Sequence, residues 1–218
     1  MTVLLLDRLP ADIQRLGDLS PRPPVAECVH DVRRLDRLIS DISDASRLDA
    51  ELQRQEAQCV DLTQLLTTVV NVANEVKCDD VGIKLTFDGD PKQFRVPGYD
   101  SRLGQVVDNL IANARSFSPA GGHVRVNCRR LRDQVEIVVD DDGPGIRPDA
   151  LDRIFERFYT DRPDQGFGQN SGLGLSISKQ IVEAHGGRIW AENRTIPPAS
   201  GDALRVVGAR FVVLLPAM

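Results

Sequence analysis

The sequence predicts an α+β fold: a two-layer sandwich of helices on a mixed, mostly antiparallel sheet, with a helical segment ahead of it. Three observations predict this. Strand-like stretches alternate apolar and polar residues, and two of them, 124–128 and 135–139, follow each other closely enough to form a hairpin. Stretches with helical periodicity are mixed among the strands. The last of these, 173–185, runs into Gly186-Gly187, a helix-stop signal.

Each element follows from its own pattern. Leu9, Ile13, Leu16 and Leu19 recur at helical spacing until Ser20-Pro21-Arg22-Pro23-Pro24 breaks the chain. From Val25 to about Gln55 there is neither Gly nor Pro, and Val32, Leu35, Leu38, Ile42, Ala45, Leu48 and Leu52 fall three or four apart. A helix lying on its own domain would carry such a stripe. Its length and narrowness favour one arm of a dimeric bundle. Cys59-Val60-Asp61 reads as a short strand, and 62 to about 77 as a helix lined by Leu65, Leu66, Val69, Val72, Ala73 and Val76. Residues 83–87 and 94–96 alternate like strands, 99–117 is helical, and 188–191 and 211–214 are late strands. Three units result: an unidentified segment 1–24, a helix within 25–56, and a domain spanning 57–218.

Composition excludes several classes. Apolar residues make up 41% of the 218 and charged residues 27%, as in ordinary globular proteins. The net charge is −5 with no basic block, which argues against a nucleic-acid partner. No apolar run reaches membrane-spanning length, and Met1–Leu6 is too short for a signal-peptide core. The expected location is the cytoplasm, with no membrane contact by this chain itself. Cys28, Cys59, Cys78 and Cys128 are scattered, form no metal-ligand spacing and read as reduced packing residues.

Three motifs carry chemistry. Asn109 and Asn113, four apart, share a helix face, and a neutral amide oxygen suits magnesium when phosphates already supply negative charge. A strand then enters Asp140-Asp141-Asp142-Gly143-Pro144-Gly145. A simple strand-closing turn would look similar. A carboxylate fixed there, for which Asp141 is the candidate, would accept a hydrogen bond from an adenine amino group. Finally, Gly166-Phe167-Gly168-Gln169-Asn170-Ser171-Gly172-Leu173-Gly174-Leu175 leads into a helix whose free N–H groups and dipole can hold phosphate oxygens. Neither a P-loop nor a dinucleotide fingerprint is present. Together the three point to an ATP site. The stretch 159–171, rich in Gly, Asp, Gln and Asn, is expected to form a lid over it.

These motifs resemble the N, G1 and G2 boxes of the histidine-kinase catalytic domain, a member of the gyrase, chaperone and mismatch-repair ATPase superfamily with the Bergerat ATP-binding fold. Ile154-Phe155-Glu156-Arg157-Phe158-Tyr159 resembles the F box, and residues 34–49 resemble the second helix of the dimerisation and phosphoacceptor hairpin. Phe158-Tyr159-Thr160-Asp161-Arg162-Pro163 and 113–119 are similar to the ChvG type of bacterial sensor kinase. The resemblance implies ATP and Mg2+ as ligands, with Asn113 on the metal and Asn109 near the phosphates. It puts Phe117 over the base and Asp141 on adenine. Gly143, Gly145, Gly168, Ser171, Gly172, Leu173 and Gly174 shape the pocket, and Asn109 and Arg157 are the catalytic candidates. It implies a response regulator as partner and a homodimer built on the N-terminal helix.

Two departures stand out. Many family members have a basic residue three after the metal-binding Asn, where this chain has Ser116, with Arg115 beside it. The acceptor-histidine motif is missing. His30, within His30-Asp31-Val32-Arg33, imitates it without the Pro and lies at the start of the second-helix pattern, so it reads as a solvated helix residue. His185, before Gly186-Gly187, reads as structural, and His123 shows no partner. A piece of a longer kinase and a degenerate kinase both fit. So do two alternatives: a superfamily ATPase, disfavoured because Asn109 occupies the position of that group's catalytic Glu, and a non-catalytic ATP-binding dimerisation module.

Overall fold

The computed structural model describes residues 57–75, 80–160, 172–197 and 204–218. The segments expected at 1–24 and 25–56, with Cys28 and His30, lie outside the described residues, as does Cys78. The elements are β1 (Gln58–Asp61), α1 (Leu62–Glu75), β2 (Gly82–Asp88), β3 (Arg95–Gly98), α2 (Asp100–Phe117), β4 (His123–Leu131), β5 (Gln134–Asp140), α3 (Gly174–Ala184), β6 (Arg188–Ile196) and β7 (Arg205–Pro216). Five strands form one sheet in the order β2-β4-β5-β7-β6, and β1 pairs with β3 in a separate two-stranded ribbon. Only β2–β4 is parallel within the large sheet, because β3 and α2 intervene between those strands and carry the chain back across.

One sheet face is apolar. Val124, Val126 and Cys128 of β4, Val135, Ile137 and Val139 of β5, and Phe211, Val213 and Leu215 of β7 are buried at alternate positions. They join Leu62, Leu66, Leu110, Ile111, Ile177 and Ile181 of the helices in a single core. Burial, with the nearby Asp88 charge, pushes the Cys128 thiol up to about 12, so it is an inert packing residue. Asp61 starts α1, its Oδ1 accepting from the N–H groups of Thr63 (2.9 Å) and Gln64 (3.3 Å). The α1 stripe differs from the one expected. Leu62, Leu65, Leu66, Val69 and Val70 are buried, whereas Val72 is 56% exposed. The rotation of about 100° per residue puts position 72 outside an arc centred on Leu66 and Val69.

The other sheet face is covered by charge. Register places Arg125, Asp140, Arg210 and Glu192 side by side across four strands. Arg210 forks onto Asp140 at 2.7 and 2.9 Å and lies 3.6 Å from Glu192. A second cross-strand pair joins Arg129 to Glu136, whose residue is only 7% exposed. This explains why β6 and β7 extend well beyond the expected 188–191 and 211–214. Their outward positions carry ions that pair across strands, which hides the strand signal in the sequence.

His185 closes the C-terminal end of α3. The Tyr99 N–H donates to its Nε2 at 3.1 Å, its Nδ1 lies 2.7 Å from the Ile181 carbonyl, and its ring meets Tyr99 edge-on. Both nitrogens are therefore engaged by a neutral imidazole, the structural role expected for it. Burial holds its pKa below the ordinary histidine value, with the Ile181 hydrogen bond acting the other way.

Two outcomes follow from this packing. In the unfolded chain His185 takes a proton as pH falls through about 6.5, before the folded chain does. Stability should therefore decline from that pH down to the depressed folded value and be unaffected above it. Urea titrations should show the H185Q variant lacking this part of the slope. Arg129→Met should cost about 1–3 kcal/mol, because it strands the Glu136 carboxylate. The double variant R129M/E136L should recover most of that loss in the same assay.

Candidate functional site

α2 supplies the first wall. Asn109 and Asn113 are half-buried on it, and Phe117, its last residue, is 36% exposed. The Asn109 amide nitrogen donates to the Gly174 carbonyl (3.1 Å) and to Ser178 Oγ (3.3 Å). These bonds tie α2 to the first turn of α3. The Asn113 side chain makes no hydrogen bond among the described residues. Its main-chain carbonyl accepts from Ser116 Oγ at 2.7 Å, so Ser116 turns back on its own helix. Arg115 reaches the other way, to the Ala73 carbonyl at the end of α1 (2.6 Å). It does not substitute for a basic residue at 116.

The second wall is the end of β5. Asp141 is 2% exposed, and its Oδ1 accepts from the N–H groups of Gly143 (2.8 Å) and Ala209 (2.9 Å). Its own N–H donates to the Ala209 carbonyl at 3.0 Å, so the residue is fastened to β7 by main chain and side chain alike. Both carboxylate bonds fall on Oδ1, which leaves Oδ2 for a ligand. Burial pushes the Asp141 pKa up, against the lowering effect of the Ala209 and Gly143 N–H groups and of Arg194. Asp142 behaves differently. Burial would raise it, but hydrogen bonds from Arg125, Arg194 and the His123 N–H outweigh burial and hold it below the usual carboxylate range.

Glycine is required where the chain crowds itself. A Cβ on Gly143 would stand 2.9 Å from both Asp141 Oδ1 and the Phe117 carbonyl, so this glycine brings the β5 turn against the end of α2. Gly145 lies against Asn193 and Val206. The Asn193 side chain clasps the next residue, donating to the Ile146 carbonyl and accepting from its N–H, both at 2.7 Å.

The third wall is the start of α3. Gly172 abuts Phe158 and Tyr159, and the Phe158 N–H donates to the Gly172 carbonyl at 3.0 Å. Leu173 is buried, and the first intrahelical bond runs from Ile177 N–H to its carbonyl (2.9 Å). The N–H groups of Gly174, Leu175 and Ser176 precede that bond and form the donor end of the helix. Arg157 is exposed and makes no ion pair among the described residues. Arg153, nearby, stacks on Tyr159 at 4.8 Å from the ring centre. Gly168 and Ser171 lie outside the described residues, as does the expected lid beyond Thr160.

The structure thus brings Asn109, Asn113, Phe117, Asp141, Gly143 and Gly174 around one region between α2, the end of β5 and the start of α3. Sequence reasoning missed Asn193, Arg194, Gly208 and Ala209, which hold that region from β6 and β7. Gly208 adopts φ +149°, and any Cβ there would collide with the Asp141 carbonyl. Gly208→Ala should therefore lower stability by about 1–3 kcal/mol in thermal or urea unfolding, through both the collision and the backbone conformation.

Comparison with known proteins gives a concordant result. The family model described as histidine kinase-, DNA gyrase B- and HSP90-like ATPase matches residues 98–218. The sensor protein ChvG of Rhizobium meliloti (strain 1021) is 54% identical over 195 residues, covering 86% of this chain and 33% of that protein. The chain spans about a third of the length of the two ChvG relatives and half that of the sensor protein SphS. Among solved structures, the mycobacterial sensor histidine kinase MprB superposes with TM-score 0.60 at 31% identity, covering 74% of this chain and 97% of that one. Full-length ShkA in complex with AMPPNP superposes with TM-score 0.61 at 27% identity, covering 84% of this chain and 36% of that one.

Proposed function

The chain belongs to the histidine kinase-, DNA gyrase B- and HSP90-like ATPase family, and on that premise we propose that it is the ATP-binding catalytic region of a ChvG-like sensor histidine kinase. Its role is to pass the γ-phosphoryl group of ATP to a histidine for relay to a response regulator. The observation that carries this reading is Asp141: a nearly inaccessible carboxylate, fixed by two backbone N–H groups on one oxygen, with the other oxygen free. That oxygen accepts from the adenine 6-amino group, and the Phe117 ring covers the base.

The phosphates run towards α3, where the first-turn N–H groups and the helix dipole hold them, and Arg157 adds a positive charge. Asn113 holds magnesium through its amide oxygen. There the ion would supply charge neutralisation for the phosphates. No three-residue cluster of His, Cys, Asp or Glu suited to a metal exists among the described residues, consistent with a metal that arrives with the nucleotide. Asn109 acts by position, holding the α3 turn against α2.

Phosphoryl transfer is favoured over hydrolysis by the same residue. A hydrolase of this superfamily needs a base where Asn109 stands, and an amide already bonded to Gly174 and Ser178 cannot take a proton. Asp108 is exposed, one residue off that face. The acceptor is not found among the described histidines: His185 is engaged at both nitrogens, and His123 is exposed beside Asp142. The apolar stripe from Val32 to Leu52 would serve a homodimer interface, and the domain works in the cytoplasm, as the intracellular part of a membrane-bound sensor.

ATP should bind only weakly without magnesium. Asp141→Asn should weaken it by about 1.4–2.8 kcal/mol, roughly 10- to 100-fold, by calorimetry. Equal affinity of the unmodified chain for GTP and ATP would remove Asp141 from its assigned role. With labelled ATP, self-phosphorylation should be weak, and His30→Ala should change neither nucleotide binding nor the phosphohistidine signal. Efficient labelling abolished by that substitution would make His30 the acceptor.

A further inference from the structure

Three consecutive carboxylates end β5, and three guanidiniums meet them. Arg125 of β4 forks onto Asp142 at 2.9 and 3.2 Å, and Arg210 of β7 forks onto Asp140. Arg194 of β6 touches all three residues. Its Nη1 donates to the Asp141 carbonyl and to Asp142 Oδ1 (3.2 Å), and its Nε lies 3.4 Å from Asp140 Oδ2. Gly208 makes room for it, since a Cβ there would come within 3.1 Å of the same Nη1. Other titratable groups around the cluster are Glu192, beside Arg210, Glu136 of β5, whose charge also acts on Arg210, Arg129, paired with Glu136, and His123, whose ring lies 3.8 Å from Asp142. Asp141 has no arginine on its own carboxylate.

We infer that Arg194 is the positioning residue for base specificity: it fixes the Asp141 main chain and keeps the Asp141 carboxylate an acceptor, able to read a purine 6-amino group. The inference rests on the reading of Asp141 given above. Burial favours a proton on Asp141, and the charge of Asp140 adds to that tendency, while Arg194 opposes it. With Arg194 neutralised, three carboxylates share two guanidiniums, and the proton goes to the most buried of them. A protonated Asp141 presents an O–H donor through Oδ2. That donor suits a 6-oxo purine and no longer accepts from a 6-amino group.

The test compares magnesium complexes of ATP and inosine triphosphate, whose base has a 6-oxo group, by calorimetry over about pH 6 to 8. In the unmodified chain and in R194K the preference for ATP should be independent of pH. In R194Q, which removes the charge and keeps a neutral hydrogen-bond donor on a shorter side chain, it should fall roughly tenfold towards the acidic end. Equal weakening of both nucleotides in R194Q, with an unchanged ratio, would reduce Arg194 to a structural residue and overturn the inference. A measurement on the unmodified chain is independent of any variant's folding: carboxyl 13C NMR should show Asp141 ionised throughout this range, and a titration within it would also overturn the inference. Asp141→Asn separates the two levels of argument. If it leaves the ATP-to-inosine-triphosphate ratio unchanged, the adenine assignment itself fails. If it changes the ratio while R194Q does not, only the role of Arg194 fails.

Discussion

A carboxylate taken out of water must be met by donors or give up its charge. The arrangement around Asp141 is the local answer to that constraint, and much of the domain is organised by it. The Ala209 N–H can reach Asp141 only because β7 pairs with β5 in the observed register, with Val139 opposite Phe211 and Asp140 opposite Arg210. The Gly143 N–H can reach it only because the turn closes tightly against the end of α2. Sheet register and helix placement are thus read out at a single oxygen atom.

The two faces of β6 share the task of holding the β5 turn. Asn193 looks towards the layer that carries Ile146 and grips the turn after Gly145, while Arg194, on the opposite face, grips Asp141 and Asp142. Adjacent strand residues point to opposite sides, so one dipeptide braces the turn from above and below. The edge strand of the sheet is therefore part of the site's scaffolding, although none of its residues belongs to a recognised nucleotide motif.

How much of this was legible in the sequence depended on sequence separation. Asn109 and Asn113, the Asp141–Gly145 turn and the Gly172–Gly174 helix start each stand out within a few residues, because each is a local pattern. The hairpin of β4 and β5 was legible for the same reason. The role of Arg194 was not, since its contact with Asp141 spans 53 positions and depends on a β6–β7–β5 register that no local pattern encodes. The parallel pairing of β2 with β4 was hidden likewise, because alternation reports a strand and not its direction. The charged face of the sheet worked against legibility: paired ions at outward positions made the ends of β6 and β7 look like loop.

The bond between Phe158 and Gly172 has a consequence for chain length. It joins two residues 14 positions apart in the sequence, so one backbone bond at the start of α3 holds the ends of that span together. Closure entropy grows only with the logarithm of length, about 0.6 kcal/mol for each doubling. A change in the number of residues between those two points therefore costs the fold little through closure entropy, whereas a change in the register that joins β5 to β7 would displace the contacts that hold Asp141.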